Sequence, residues 1–368
     1  MEPLTIKMKR MPVRTWNRSR VNDAEVVLIS PEGIWDAGVA GVCTVGQVVI
    51  QQNFERLEFE EEDAANLFIT DEMRSFIEDH GSRRYFIRIP KGCAEKKPVI
   101  LTFNMDGENP ILVDDIIIDA EEGSSASVIL NYESKSNKPV YHYGRTRVIA
   151  RPDSKVKLIK VQMLDGKAGH TDAIEGIVEA GAQLDVIIAE MGGACPVSSC
   201  NLILKEEGAA ANLDVIYLGN GERSLDMSYR VEHRGRKTVS KICGKGILMD
   251  KSKKVLRDTL DFVSGASGSK GREEESVLML GPEVKNISVP LLLCGEDDVE
   301  GEHAATSGRP DDSILFYLMS RGISEAEAKK LLAQAAFSSI VEKIPDYFIQ
   351  DKILYTVSNS IEGGGERP

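Results

Sequence analysis

The sequence predicts a mainly β protein, a solenoid of stacked coils with small helical parts at its N-terminal and C-terminal ends. Three observations predict it. Short apolar strands begin at Arg147, Gly176, Leu202, Tyr229 and Thr259, at steps of 26–30 residues. A second series begins at Val156, Leu184, Leu213 and Val239, at steps of 26–29 residues. Between the two strands of each unit lies a short polar corner, at 151–154, 180–182, 208–210 and 234–236. Self-similarity at roughly 20–50 residues marks a stacked architecture, because one unit cannot bury its apolar face alone. The alternative is an antiparallel sandwich with ordinary meander spacing. Hairpin signals are scarce, however, and the one clear case is Gly219-Asn220-Gly221.

The elements follow in order. Residues 14–20, Arg-Thr-Trp-Asn-Arg-Ser-Arg, form a cationic surface segment. The Gly/Val-rich run 39–50 suits a strand pair. Residues 63–80 carry Ala64, Ala65, Leu67, Phe68, Met73 and Phe76 at the spacing of one or two short amphipathic helices. From Arg84 the pattern turns to strands, at 85–89, 98–103, 116–118 and 127–130. The repeat follows. Crowded Gly and Ser at 264–269 predict one wide corner. After Thr306 the pattern becomes helical. Asp311 and Asp312 mark a helix start, Gly322 a stop, and Ser324 with Glu327 a capping box. Ala328, Leu331, Leu332, Ala335 and Ala336 are the expected apolar face of that second helix. A third helix follows Pro345 and runs to about Asn359. The division is therefore 1–95 as a mixed N-terminal region, 96–305 as the solenoid core and 306–368 as a helical unit.

Composition narrows the function. The 368 residues carry 45 Lys+Arg against 58 Asp+Glu, a formal net charge of −13. A protein that coats nucleic acid or an anionic membrane shows the opposite sign. With 42% hydrophobic and 28% charged residues, the chain reads as folded rather than disordered. No apolar run approaches the roughly 18 residues of a membrane span, and the N-terminus lacks a secretory pattern, so the expected location is cytoplasmic.

Enzyme signatures are missing from the sequence: it has no phosphate-binding loop, nucleophile elbow or paired metal-ligating histidines. The expectation is a non-enzymatic protein. A carbohydrate-cleaving solenoid is disfavoured for want of paired carboxylates. Six cysteines, Cys43, Cys93, Cys195, Cys200, Cys243 and Cys294, are too sparse for a disulfide framework. Cys195 and Cys200, five residues apart, could reach one iron–sulfur centre or pack as small hydrophobes. Cys243, in the next coil, could converge with them. Cys294 follows a Leu-Leu-Leu run and reads as core; Cys43 and Cys93 read as packing residues. Glu302 and His303 could bind a borderline metal such as iron, although in a strand they point to opposite faces. Leu315, Phe316, Tyr317 and Leu318 put apolar groups all round one helix, more than one core-facing stripe requires.

Residues 297–309, Asp-Asp-Val-Glu-Gly-Glu-His-Ala-Ala-Thr-Ser-Gly-Arg, are followed by Leu-Phe-Tyr-Leu-Met-Ser-Arg-Gly-Ile-Ser at 315–324 and by Glu327-Ala328. Together they closely resemble the signature of the SufB/SufD family. Residues 264–270 are similar to a second family stretch. The resemblance implies a right-handed parallel β-helix with a C-terminal helical domain that docks a SufC-like ABC ATPase, here through Leu315, Phe316, Tyr317, Leu318 and Arg321. It implies an iron–sulfur cluster assembly scaffold that pairs as a homodimer or with a SufB/SufD-type paralogue. The alternative is a structural SufD-like subunit that positions the ATPase and carries no cluster. Glu302 and His303 match the family Glu and His. A family cysteine falls near Val284, a SufD cysteine falls on Gly301, and the family's long N-terminal portion is reduced. The chain thus resembles a minimal SufB-like member. For a transient cluster, expected as [4Fe-4S], the thiolates then fall to Cys195, Cys200 and Cys243, with Cys294 in reserve.

Overall fold

The computed structural model describes residues 3–9, 11–13, 21–31, 42–52, 70–136 and 138–363. The cationic segment 14–20 and the expected helical residues 63–69 lie outside that set. In chain order the N-terminal strands are β1 (Leu4–Lys9), β2 (Asp23–Leu28), β3 (Val42–Val45) and β4 (Val48–Gln52), followed by helix α1 (Asp71–His80). The repeat then supplies β5 (Arg83–Ile89), β6 (Val99–Met105), β7 (Ile111–Ala120), β8 (Ser125–Ser134), β9 (Tyr141–Ala150) and β10 (Lys155–Met163). It continues with β11 (Gly169–Val178), β12 (Gln183–Glu190), β13 (Cys195–Leu204), β14 (Ala210–Gly219) and β15 (Ser224–His233). It ends with β16 (Val239–Leu248), β17 (Lys253–Phe262), β18 (Ser269–Met279), β19 (Lys285–Cys294) and β20 (Val299–Gly308). Three helices follow, α2 (Asp312–Ser320), α3 (Glu325–Val341) and α4 (Tyr347–Gly363).

From β5 onward, odd and even strands separate into two sheets in which every strand pairs in parallel with its counterpart one coil away. The even sheet has eight strands, β6 to β20. The odd sheet has ten, because β4 and β3 extend it antiparallel beyond β5. The parallel solenoid expected from the repeat is present and the sandwich alternative is excluded. Gly219-Asn220-Gly221 is not a hairpin; it is a corner between two coils, with Gly221 at φ 57°.

The corners explain the polar punctuation. Gly123, Asp153, Gly181, Gly208, Lys237 and Gly268 all have positive φ in successive coils. The N–H of each donates to a carbonyl of the next corner, as from Asp153 to Ala180 (2.9 Å) and from Gly208 to Arg236 (2.9 Å). Glycine adopts this conformation without steric cost, and Asp tolerates it. The next residue in each corner, Ser124, Ser154, Ala182, Ala209, Thr238 or Ser269, is small and buried.

Between the sheets lies a continuous apolar core from Val48 to Val277. The even sheet is apolar on its outer face as well. Ile129, Ile159, Val161, Ile187, Ile216, Leu218 and Ile247 lie under α3 and α4. Strands buried on both faces read as near-continuous hydrophobic runs, which is why this series was conspicuous in the sequence. The helices start as expected. Asp311 caps α2 through Ser313 N–H, and the Ser324 hydroxyl accepts from Glu327 N–H at 3.2 Å. The buried stripe of α3 differs from expectation: it is Ala328, Ala333, Phe337, Ile340 and Val341, while Leu331 and Ala335 are exposed. The helix is apolar on more than one face, so periodicity alone did not select the face that the sheet covers. On the odd sheet, β1, β2 and α1 cover Val113, Tyr143, Ala173 and Val197.

Candidate functional site at the open end of the solenoid

In a parallel in-register sheet, paired residues face the same side. This places every candidate. Leu204, His233, Phe262 and Cys294 form one column on the odd sheet, and the first three are interior. Cys294 therefore faces the interior side of the last described coil, and its thiol is exposed. On the even sheet, Ile242, Glu273 and His303 form an interior column. Glu302 is one residue away and turned outward, in the column of Arg272, with the two side chains 3.7 Å apart. Cys294 and His303 thus share the uncapped side of β19 and β20, and Glu302 lies on the rim.

Beneath this end is a buried charged node that the sequence reading missed. Lys254 Nζ lies 2.5 Å from Glu275 Oε1 and 2.9 Å from Ser288 Oγ. The hydroxyls of Tyr217 and Ser288 donate to the same carboxylate, each at 2.5 Å. The Tyr217 ring occupies the space a Cβ at Gly246 would fill. Burial pushes Glu273 up to about 8, helped by the negative field of Glu275. Burial, with Glu273 and Glu275 adding, also raises Asp258 well above the carboxylate range. Neutral carboxyl groups are the physical response to removing charge from water.

A second buried polar group lies further inside. His142 Nε2 meets Asp114 Oδ2 at 2.7 Å, and His142 Nδ1 meets His170 Nδ1 at 2.8 Å. Lys160 bonds Thr146 and Asp172, both at 2.8 Å. Burial lowers His142 to about 3 and His170 to about 4, and raises Asp114 to about 7. Both imidazoles are therefore neutral, so one facing Nδ1 donates and the other accepts. The available signal was register: Lys160 lies on the same face as Leu158 and Val156, at positions that in other coils are apolar.

The three remaining candidate thiols are not brought together in the chain. Cys195 is exposed at the start of β13. Cys200 lies in the core between the sheets, its thiol driven up by burial and by nearby Asp172. Cys243 faces the opposite side of the even sheet, in the cluster under α3 and α4, and burial raises it to about 11. The shared centre expected of Cys195, Cys200 and Cys243 is thus not formed within one chain. A sheet separates Cys200 from Cys243, and successive residues alternate faces, which the spacing did not reveal. Among the described residues, no three His, Cys, Asp or Glu side chains are placed to share one metal ion. Cys93 is buried in the core, and the side chain of Cys43 lies outside the described set.

The helical candidates lie on α2 and at its end, and α2 follows β20 directly in the chain. Helix α2 has no buried residue. Phe316 is 74% and Tyr317 56% exposed, while Leu315 and Leu318 are half-buried. The Arg321 guanidinium lies 5.3 Å from the Tyr317 ring centre. No helix among the described residues is long and apolar enough to cross a membrane.

The family model described as "SUF system FeS cluster assembly, SufBD core domain" matches residues 103–336. The chain is 24% identical over 279 residues to the iron-sulfur cluster assembly protein SufD of Bacillus subtilis, covering 75% of this chain and 64% of that protein. It is 26% identical over 266 residues to SufBD family proteins of Staphylococcus saprophyticus and Staphylococcus haemolyticus, covering 71% of this chain and 56% of each. The chain therefore spans 56–64% of the length of these relatives. A match of this extent, over a stacked parallel solenoid with helices behind it, identifies the chain as a member of the SufBD family of iron–sulfur cluster assembly proteins.

Proposed function

We propose that the chain is a non-enzymatic scaffold subunit on which an iron–sulfur cluster, of [4Fe-4S] type, is assembled as cargo in the cytoplasm. Residues 1–95 form its N-terminal region, 96–305 the β-helix core and 306–368 the ATPase-docking unit. The observation that carries this reading is the terminal coil. Strands β19 and β20 end their sheets with no further strand beside them among the described residues, and they carry Cys294, Glu302 and His303 at exposed positions. An unpaired ten-residue edge is a template for another strand. A second copy, or a SufB/SufD-type paralogue, adds to it and brings further ligands, since a two-fold axis presents the same patch twice. Thiolate, imidazole and carboxylate together suit iron. The SufC-like ABC ATPase docks on α2, where Leu315, Phe316, Tyr317, Leu318 and Arg321 supply an aromatic anchor with a cation beside it.

The test is anaerobic co-expression with the cognate ATPase, followed by iron and sulfide analysis. Cys294→Ser and His303→Ala should each lower bound iron and sulfide, while the triple Ser variant of Cys195, Cys200 and Cys243 retains them. The reverse pattern would return the ligand role to those three thiols. A second reading, a SufD-like subunit that carries no cluster, is favoured by one observation: Cys200 and Cys243 lie in two different cores. It predicts capture of the ATPase with no iron on this chain alone.

A further inference from the structure

The N-terminal hairpin returns on itself, with Leu4 paired to Leu28, and residues between its strands reach the far end of the odd sheet. The hairpin lies over β7 to β13, yet Met11 and Val21 pack against Val255 of β17 and Val289 of β19, at the other end of the stack. Val289 is the only buried residue of β19. It faces outward, in the column of Arg257, so what buries it is the N-terminal segment and not the core. Arg257 itself is 1% exposed. Its guanidinium grips Asp226 at 2.8 and 3.0 Å, and its Nε donates to the carbonyl oxygen of Val21. Residues on both sides of segment 14–20 are thus fixed to the last odd strands by one apolar cluster and one buried cation.

We propose that Met11 and Val21, the latter gripped by Arg257, act as a clip that holds the terminal coil in the geometry needed for pairing, so that release of the clip loosens β19 and disables the edge. The physical argument is a difference in restraint. Every other odd strand of the repeat from β7 to β17 has a neighbour on both sides and interior residues under cover. Strand β19 has a ladder on one side, and its interior-facing Pro290, Leu292 and Cys294 are exposed. An edge strand with so few buried contacts opens locally at low cost unless something else holds it. The clip is that restraint. The effect on pairing rests on the reading of this edge as the pairing surface; the effect on β19 does not.

Hydrogen exchange by mass spectrometry on the full chain tests it, with sedimentation run on the same samples. Val21→Ala and Arg257→Met are the variants, and Val26→Ala, in the hairpin away from the clip, is the control. Both clip variants should speed exchange across residues 285–294 by about tenfold, as expected for local opening after the loss of a few buried contacts. Residues 141–178 should be unchanged, and dimer should fall with β19 protection. The control should leave β19 as in the wild type. Unchanged exchange at β19, or an equal rise through every coil, would overturn the clip. If β19 loosens selectively but the wild-type chain never pairs with itself or a paralogue, the clip stands and the pairing reading fails.

Discussion

The middle coils and the terminal coil are built from one repeat and buried in opposite ways. In β13 nine of ten residues are buried; in β20 none is. In the middle, most side chains are covered by the coil above, the coil below, the outer helices or the N-terminal hairpin. At the end the ladder is the same, but the inward column runs from Ile242 through Glu273 to His303, and from there into the open. The difference teaches that one repeat sequence pattern gives full burial inside the stack and exposed side chains at its end. The interior coils are covered on both sides, whereas the last has no strand beyond it among the described residues and leaves Cys294, Glu302 and His303 exposed.

The comparison is broken most directly by equal substitutions in the two regions. Leu202→Ala opens a cavity at a fully buried position and should cost about 2–5 kcal/mol. Leu292→Ala, in the last coil at 37% exposure, should cost less than about 1 kcal/mol. Urea denaturation of both variants checks it; equal losses would remove the distinction.

The interior polar group sharpens it through pH. Between about pH 4 and 6.5 the unfolded chain protonates His142 and His170, which the folded chain holds neutral with values of about 3 and 4. Asp114 works the other way: its folded value of about 7 keeps a proton that the unfolded chain has lost above pH 3.8. The unfolded state then binds a net excess of about one proton, so these groups lower stability on acidification, by about 1.4 kcal/mol per pH unit across that window. His170→Gln should lower the slope by about 1.4 kcal/mol per pH unit relative to the wild type. A slope unchanged in the variant would exclude this origin.

A smaller effect is expected at the helical unit. Ser324→Ala removes the cap on α3 and should cost about 1 kcal/mol. Phe316→Ala with Tyr317→Ala should leave the melting temperature in place, because both rings are exposed, and lower ATPase affinity at least about tenfold, as for aromatic anchors. Retained affinity would move the docking surface elsewhere.

Much of this was legible in the sequence, and unevenly so. The apolar halves of the strands, the corners and the helix caps stood out because each has a local cause: burial on both faces, positive φ, a side chain closing an orphan N–H. The polar halves did not. Strand β9 begins at Tyr141, not at Arg147 where the apolar run starts, and His142, Thr146, His170 and Asp172, which precede the expected strand starts, are interior. Their partners lie one coil away, at a separation no local pattern records. The same blindness affected the cysteines. Spacing brought Cys195, Cys200 and Cys243 near one another along the axis, but the face each occupies depends on strand register. Glu302 and His303 stood out by their chemistry and matched the family signature, and the exposed place of Cys294 came only from the end of the stack.

The central claim is that the terminal coil is the pairing edge. Sedimentation equilibrium of the full chain with the proposed ATPase partner, alone and with a paralogue where one exists, tests it against the variant Ala305→Glu with Ser307→Glu. Both substituted positions are exposed and in the interior-facing columns of β20. The prediction is a dimer in the wild type that dissociates in the variant while the melting temperature and ATPase binding are unchanged. A dimer that survives the two added charges, or a wild-type chain that stays monomeric with every partner offered, would contradict it.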